Sequence, residues 1–113
     1  MTMTKIQPGA AFKENLAALP PIDGLAHMDL IDAGGHVVAR IPNEPGKQGS
    51  LAVYHYLQQC FGTLDAAAAT HGLDVFAEHV ADARTRPGAH PNIDRLLDVA
   101  ASGQALRIEV FRA

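Results

Sequence analysis

Tryptophan is absent, cysteine occurs once, and four Phe with two Tyr are the whole aromatic stock. So few rings leave no base-stacking platform and few anchors for a large protein interface. The lone Cys60 cannot close an intrachain disulfide, so an oxidising compartment gains no support. Positive charge is also scarce: nine Lys and Arg stand against twelve Asp and Glu, for a net charge of −3. Phosphate neutralisation needs clustered basic residues and these are scattered, which argues against nucleic acid as the main partner. No apolar run approaches the ~20 residues that span a bilayer, and residues 1–11 lack an apolar core of signal-peptide length. The expectation is a cytoplasmic protein with no membrane partner and no cofactor.

What is present suffices for one domain, spanning 1–113. A chain of this length buries about two-thirds of its unfolded surface without disulfides or metals. Alanine supplies 20 of the 54 apolar residues, so the core rests on 28 Leu, Ile, Val and Phe. That is about a quarter of the chain, above the roughly one-fifth below which chains stay disordered.

Residues 1–10, with Pro8-Gly9 and no periodicity, read as a loose lead-in. Phe12, Leu16 and Leu19 recur at helical spacing until Pro20-Pro21. Leu25–Asp32 and His36–Ile41 flank Ala33-Gly34-Gly35, whose paired glycines supply the positive φ of a tight turn, so an antiparallel hairpin is expected. Residues 42–49, with two prolines and two glycines, form a structured loop. Ser50 is placed to cap a helix with Leu51, Tyr54, Leu57 and Phe61 on one face and Gly62 as its stop. Thr63 is placed to cap an alanine-rich helix that halts at Gly72.

A third helix starts near Leu73 or Asp74, buries Leu73, Phe76, Val80 and Ala83, and ends at Pro87-Gly88. A fourth opens at Pro91, turns Ile93, Leu96, Leu97 and Ala100 to the core, and closes at Gly103. Leu106, Ile108 and Val110 then alternate with Arg107, Glu109 and Phe111 as a half-buried strand. The order implies an α+β fold. A small three-stranded antiparallel or mixed sheet, the hairpin plus the C-terminal strand, carries four to five short helices on one face.

Chemistry concentrates between Glu78 and Leu96, which hold two of the six histidines, three acids and three arginines. Glu78, Asp82 and Arg86 follow at i, i+4 steps. His79 and Asp82, three apart, suit a base and its orienting carboxylate, because such residues are neighbours on a helix. With His90 folded back over Pro87-Gly88, the trio His79, Asp82 and His90 would be a weak metal set. The usual zinc spacings are missing: His-x-x-Glu-His would need histidine at Val75, and there is no His-Glu-x-x-His and no Cys pair. No metal is therefore expected, and a stair of solvated ion pairs is the plainer account.

Pro45-Gly46-Lys47-Gln48-Gly49-Ser50 leads into a helix, where free N–H groups and Lys47 suit an anion, although the Walker spacing is absent. Asn92 and Asp94 open the last helix, and Arg95 is one turn from Asp98. These are helix-stabilising devices first, and all three are candidates to face a ligand. Ser50 lacks a nucleophile elbow, and Cys60 reads as a buried structural thiol.

Three blocks carry a family likeness: Phe12-Lys13-Glu14-Asn15-Leu16, Pro45–Tyr54, and Glu78-His79 through Asp82-Ala83-Arg84 and Pro87-Gly88 to His90-Pro91-Asn92-Ile93-Asp94-Arg95-Leu96. From about Phe12 to about Gly103 the chain resembles a family of small, uncharacterised bacterial proteins catalogued as a domain of unknown function. The resemblance implies a bacterial cytoplasmic protein and brings no activity, cofactor or residue roles.

The leading expectation is a non-enzymatic module that binds a protein partner or a small anionic ligand where the 42–49 loop meets the 86–92 turn. Lys47, Glu78, His79, Asp82, Arg84 and His90 would line it, with Gly49, Ser50, Asn92, Asp94 and Arg95 contributing. The alternative is a small enzyme or enzyme subunit using His79 and Asp82 for acid–base chemistry on an anionic substrate. A second alternative is metal binding by His79, Asp82 and His90. The alanine run 66–69 leaves a homodimer open.

Overall fold

The computed structural model describes residues 5–113. Chain order is α1 (Phe12–Ala17), β1 (Leu25–Ile31), β2 (Val37–Pro42), α2 (Gln48–Phe61), α3 (Ala66–Phe76), α4 (His79–Thr85), α5 (Pro91–Ser102) and β3 (Arg107–Arg112). The sheet runs β2-β1-β3 with both pairings antiparallel, which resolves the antiparallel-or-mixed expectation. At the hairpin tip the Gly34 and His36 N–H groups donate to Asp32 Oδ1, and Gly35 adopts φ 84°, open to glycine at little cost.

Alternation along β1 sorts the two faces of the sheet. Met28 and Leu30 are buried with Ile41 and Ile108 in the common core. Offset by one residue, Asp29 takes a two-pronged bond from Arg40 (2.7 and 3.0 Å), and His27 stacks on Phe111. Helix α2 touches all three strands and is buried continuously from Leu51 to Leu57, so it is the axis of the core.

Residues 5–10 contain no helix or strand, yet they are tied down. The Ile6 N–H donates to Tyr56 Oη (2.8 Å), and Gly9 exchanges hydrogen bonds with the buried Asn15 side chain, which also donates to Val75 O. The lead-in expected over 1–10 is therefore anchored from residue 5 onward, and its first four residues lie outside the described ones.

Three boundaries differ from expectation. Helix α2 starts at Gln48, so Ser50 lies in its first turn rather than capping it, and Lys47 at the cap makes no side-chain cap bond. Asp65, not Thr63, caps α3 by accepting from the Ala68 N–H at 2.9 Å, while Thr63 Oγ1 donates to Leu106 O. Gly72 does not stop α3, which continues to Phe76 and breaks at Ala77, a non-glycine residue at φ 54°. The reason is packing. A Cβ on Gly72 would lie 2.8 Å from Leu57 Cδ1 and 2.9 Å from Leu96 Cδ1, so the glycine lets α3 approach α2 and α5 closely. Consequently Leu73 and Phe76 belong to α3 and Val80 and Ala83 to α4, although all four still pack on one core.

Candidate functional site

The helix-entry segments before α2 and α5 come together at a cleft of about 340 Å³. From the α2 side come Gly46, Lys47, Gly49 and Ser50, and from the α5 side Ala89, His90, Pro91, Asn92 and Ile93. Phe12, Phe76 and His79 complete the wall. Phe12 is fixed from both directions: its ring stacks on Phe76 at 5.3 Å, and its N–H donates to Glu78 Oε1 at 2.7 Å. The His79 ring meets the Phe12 ring edge-on at 5.1 Å and lies 6.1 Å from the His90 ring.

Neither helix entering the cleft has a side-chain cap at its N-terminus, in contrast to the Asp65 cap of α3. Their first-turn N–H groups carry the positive ends of the helix dipoles. Pro91 brings no N–H, and Asp94 is diverted, with its Oδ2 accepting from the Gly88 N–H at 3.0 Å. Tyr54 runs through the core beneath and donates its hydroxyl to Asn92 O at 2.5 Å, which fixes the start of α5 against α2. Burial pushes the Tyr54 phenol well above its ordinary pKa, so it remains a donor at any physiological pH.

Asp82 is the electrostatic anchor on the far side of His90. Both its oxygens are engaged by Arg86, and Oδ2 also meets His90 Nε2 at 2.5 Å. The Arg86 guanidinium and then the His90 ring hold its carboxyl well below the usual carboxylate range, so it stays ionised. The pairing expected at i, i+3 is corrected: Asp82 orients His90, which the Pro87-Gly88 turn folds back, and not His79. The reason is that Arg86 and His90 both meet the carboxylate from the C-terminal side, while His79 turns to Phe12.

Among the described residues no group of three His, Cys, Asp or Glu is arranged to hold a metal. The His79, Asp82 and His90 set is therefore not assembled for one, because both Asp82 oxygens already accept from nitrogen donors.

The structure brings Lys47, Gly49, Ser50, His79, His90 and Asn92 to one cleft and leaves the other candidates elsewhere. Arg84 lines a separate depression with Thr70, Asp74 and Val80. Arg95 donates to Asn92 Oδ1 at 2.8 Å rather than pairing with Asp98, and lines a larger cavity of about 530 Å³ beside the hairpin tip. Glu78 serves the Phe12 backbone, and Asp94 the Gly88 turn. The apolar wall of Phe12, Phe76 and Ile93 was not expected from spacing, since its members are far apart in sequence and each alone reads as core.

An α+β domain with a cleft between two helix starts defines a class of small scaffold rather than an activity. The chain belongs to the family described as uncharacterised proteins conserved in bacteria (DUF2322), which it matches over residues 12–110. Comparison with curated proteins and with solved structures gives no match. No described helix is long and apolar enough to cross a membrane.

Proposed function

We propose that the protein is a small cytoplasmic binding module for an anion-bearing small molecule, seated in the cleft between the starts of α2 and α5. One observation carries this reading: Lys47, His79 and His90, from three separate segments, line the same cavity. The two uncapped helix starts support it, because their dipoles and N–H groups favour negative charge. Phe12, Phe76 and Ile93 offer a dry surface for the apolar part of such a ligand, the usual composition of a small-molecule site.

A thermal-shift panel of carboxylates, phosphate esters and nucleotides tests it. A ligand at 100 times its Kd adds about 2.7 kcal/mol of stability. Lys47→Ala, an exposed substitution, should leave the unliganded melting temperature alone and shrink the shift. A flat panel rejects the reading and favours a protein partner instead.

The Asp82–His90 bond favours a second reading. A carboxylate-oriented imidazole opening on a cavity is the arrangement of a general base, with His90 in the role expected of His79. Any panel ligand that binds can be incubated with the protein and followed by one-dimensional NMR. Recovery of the ligand unchanged rejects catalysis.

A further inference from the structure

The balance of charge around the cleft goes beyond a preference for anions and rests on the binding site proposed above. At neutral imidazoles Lys47 is the one cation lining the cavity among the described residues. Asp82 is shared by Arg86 and His90, and neither Asp82 nor Arg86 lines the cavity. The Asp94 carboxylate is held by the Gly88 N–H, and the Glu78 carboxylate by the Phe12 N–H, so the α5 and α4 starts add negative charge nearby. From α1 the cleft receives only the ring of Phe12, and Arg95 on α5 is turned to Asn92. One lysine against these carboxylates is a poor host for a doubly charged group. Two imidazoles 6.1 Å apart on the same wall change that if both carry a proton.

We infer that the cleft takes a doubly charged anion, of the phosphoryl or sulfuryl type, in its imidazolium state, so that binding draws protons onto His79 and His90. The Asp82 carboxylate, 2.5 Å from His90 Nε2 and not part of the cavity lining, is the partner for a charged His90 ring. It also makes the roles of the two rings unequal: His90 is braced by a carboxylate, whereas His79 rests on the edge of Phe12. Imidazole is the side chain that changes charge between about pH 5 and pH 8. Asp82, held low by Arg86 and His90, stays ionised through that range. A singly charged carboxylate needs less neutralisation and should show a shallower response.

Sulfate is the probe of choice, because it keeps both charges across the range while a phosphate ester has its own ionisation near pH 6. Sulfate is titrated into the ¹⁵N-labelled protein at several values between pH 8 and pH 5.5, and the amide shifts of Gly49, Ser50 and Asn92 are followed. Affinity should rise as pH falls, by up to about tenfold per unit for each proton taken up. His79→Gln and His90→Gln should each flatten that slope, and the double variant should abolish it. Asp82→Asn should move the rise to lower pH, since it removes the carboxylate that favours the His90 cation. The same spectra report whether each variant is folded.

Sulfate binding of equal strength at pH 8 and pH 6, or a slope that survives the double variant, overturns the inference and leaves the anion site standing. Absence of any shift with sulfate, phosphate or acetate at every pH overturns the site itself.

Discussion

Replacing Gly72 by alanine pits two well-measured effects against each other. In an exposed helix interior the change stabilises by about 1 kcal/mol, because glycine is the poorest helix former apart from proline. Here the new methyl would sit 2.8 Å from Leu57 Cδ1 and 2.9 Å from Leu96 Cδ1, against the ~3.5–4.0 Å of ordinary carbon contacts. Both leucines are fully buried, so neither can swing into solvent, and the helices must part or the side chains leave their rotamers. Overpacking of that kind costs about 1–3 kcal/mol.

Subtracting the propensity gain from a mid-range cost of about 2 kcal/mol leaves a net loss of about 1 kcal/mol. For a domain of this size that lowers the melting temperature by roughly 4 °C and the urea midpoint by about 0.5 M. The sharper readout is a double-mutant cycle with Leu57→Ala, which removes the methyl that clashes most. The Gly72→Ala penalty should shrink in that background, with a coupling of about 0.5–2 kcal/mol. A Gly72→Ala protein more stable than the parent would refute the packing account and return the residue to the role of a chance helical glycine.

Three further outcomes follow from single contacts. Asn15→Ala removes three hydrogen bonds made by one buried side chain and strands Val75 O, so urea unfolding should show a loss of about 3 kcal/mol. Asp65→Ala deletes the α3 cap and should cost about 1 kcal/mol by the same measurement; no effect would mean that α3 begins elsewhere. Burial lowers the pKa of both His55 and His71 from the ordinary 6.5. A depressed folded value means that their share of stability is complete above about pH 6.5 and is lost as pH falls through the folded values. The urea midpoint should therefore decline from pH 7.5 to pH 5.5, less steeply in His71→Gln. A midpoint that rises on acidification contradicts the sign.

The His71 case has a local readout as well. Its Nε2 lies 2.7 Å from Tyr56 Oη, which accepts from the Ile6 N–H, so the neutral ring in its Nδ1–H tautomer accepts a hydrogen bond from the phenol. Protonation removes that acceptor. The Ile6 amide should exchange faster with solvent at pH 5 than intrinsic rates predict.

The number, order and type of elements were legible because each rests on local pattern. The Gly-Gly hairpin, the Pro91 helix start and the alternation of Leu106, Ile108 and Val110 need only neighbours in sequence. Boundaries failed where a residue's role is set by distant atoms. Gly72 looks like a helix stop and is instead a contact point for Leu57 and Leu96. Ala77 looks unremarkable and takes the positive φ that breaks the helix, a conformation that propensity assigns to glycine. Thr63 and Asp65 are both acceptable caps, and the bond from Thr63 to Leu106 O decided between them.

The same division runs through the site. That the Lys47 loop and the His90 turn are both helix entries is written locally, and so is the proximity of Asp82 to Arg86. Which histidine Asp82 would hold was not, because i, i+3 geometry favoured His79 while the turn at 86–90 carried His90 back over eight residues. Phe12 is held at the cleft by Phe76 and by Glu78, sixty-six residues away, contacts no spacing could announce.

The pairing of β1 with β3 joins Leu25 to Arg112 and Ile31 to Arg107 across nearly the whole described chain. During synthesis at ~5–20 residues per second, roughly 4–15 s separate the emergence of the central strand from that of its second partner. For that interval β1 has β2 on one side and an open ladder on the other, the configuration that recruits strands from other nascent chains. Asp29 and His27 on that strand are polar groups in an otherwise apolar run of Leu25, Ala26, Met28, Leu30 and Ile31. Asp29 is already answered by Arg40 of the hairpin, so the nascent pair carries its own charge pattern before β3 exists. The hairpin can form this pair before β3 is made, so β1 meets its second partner with its buried carboxylate already satisfied.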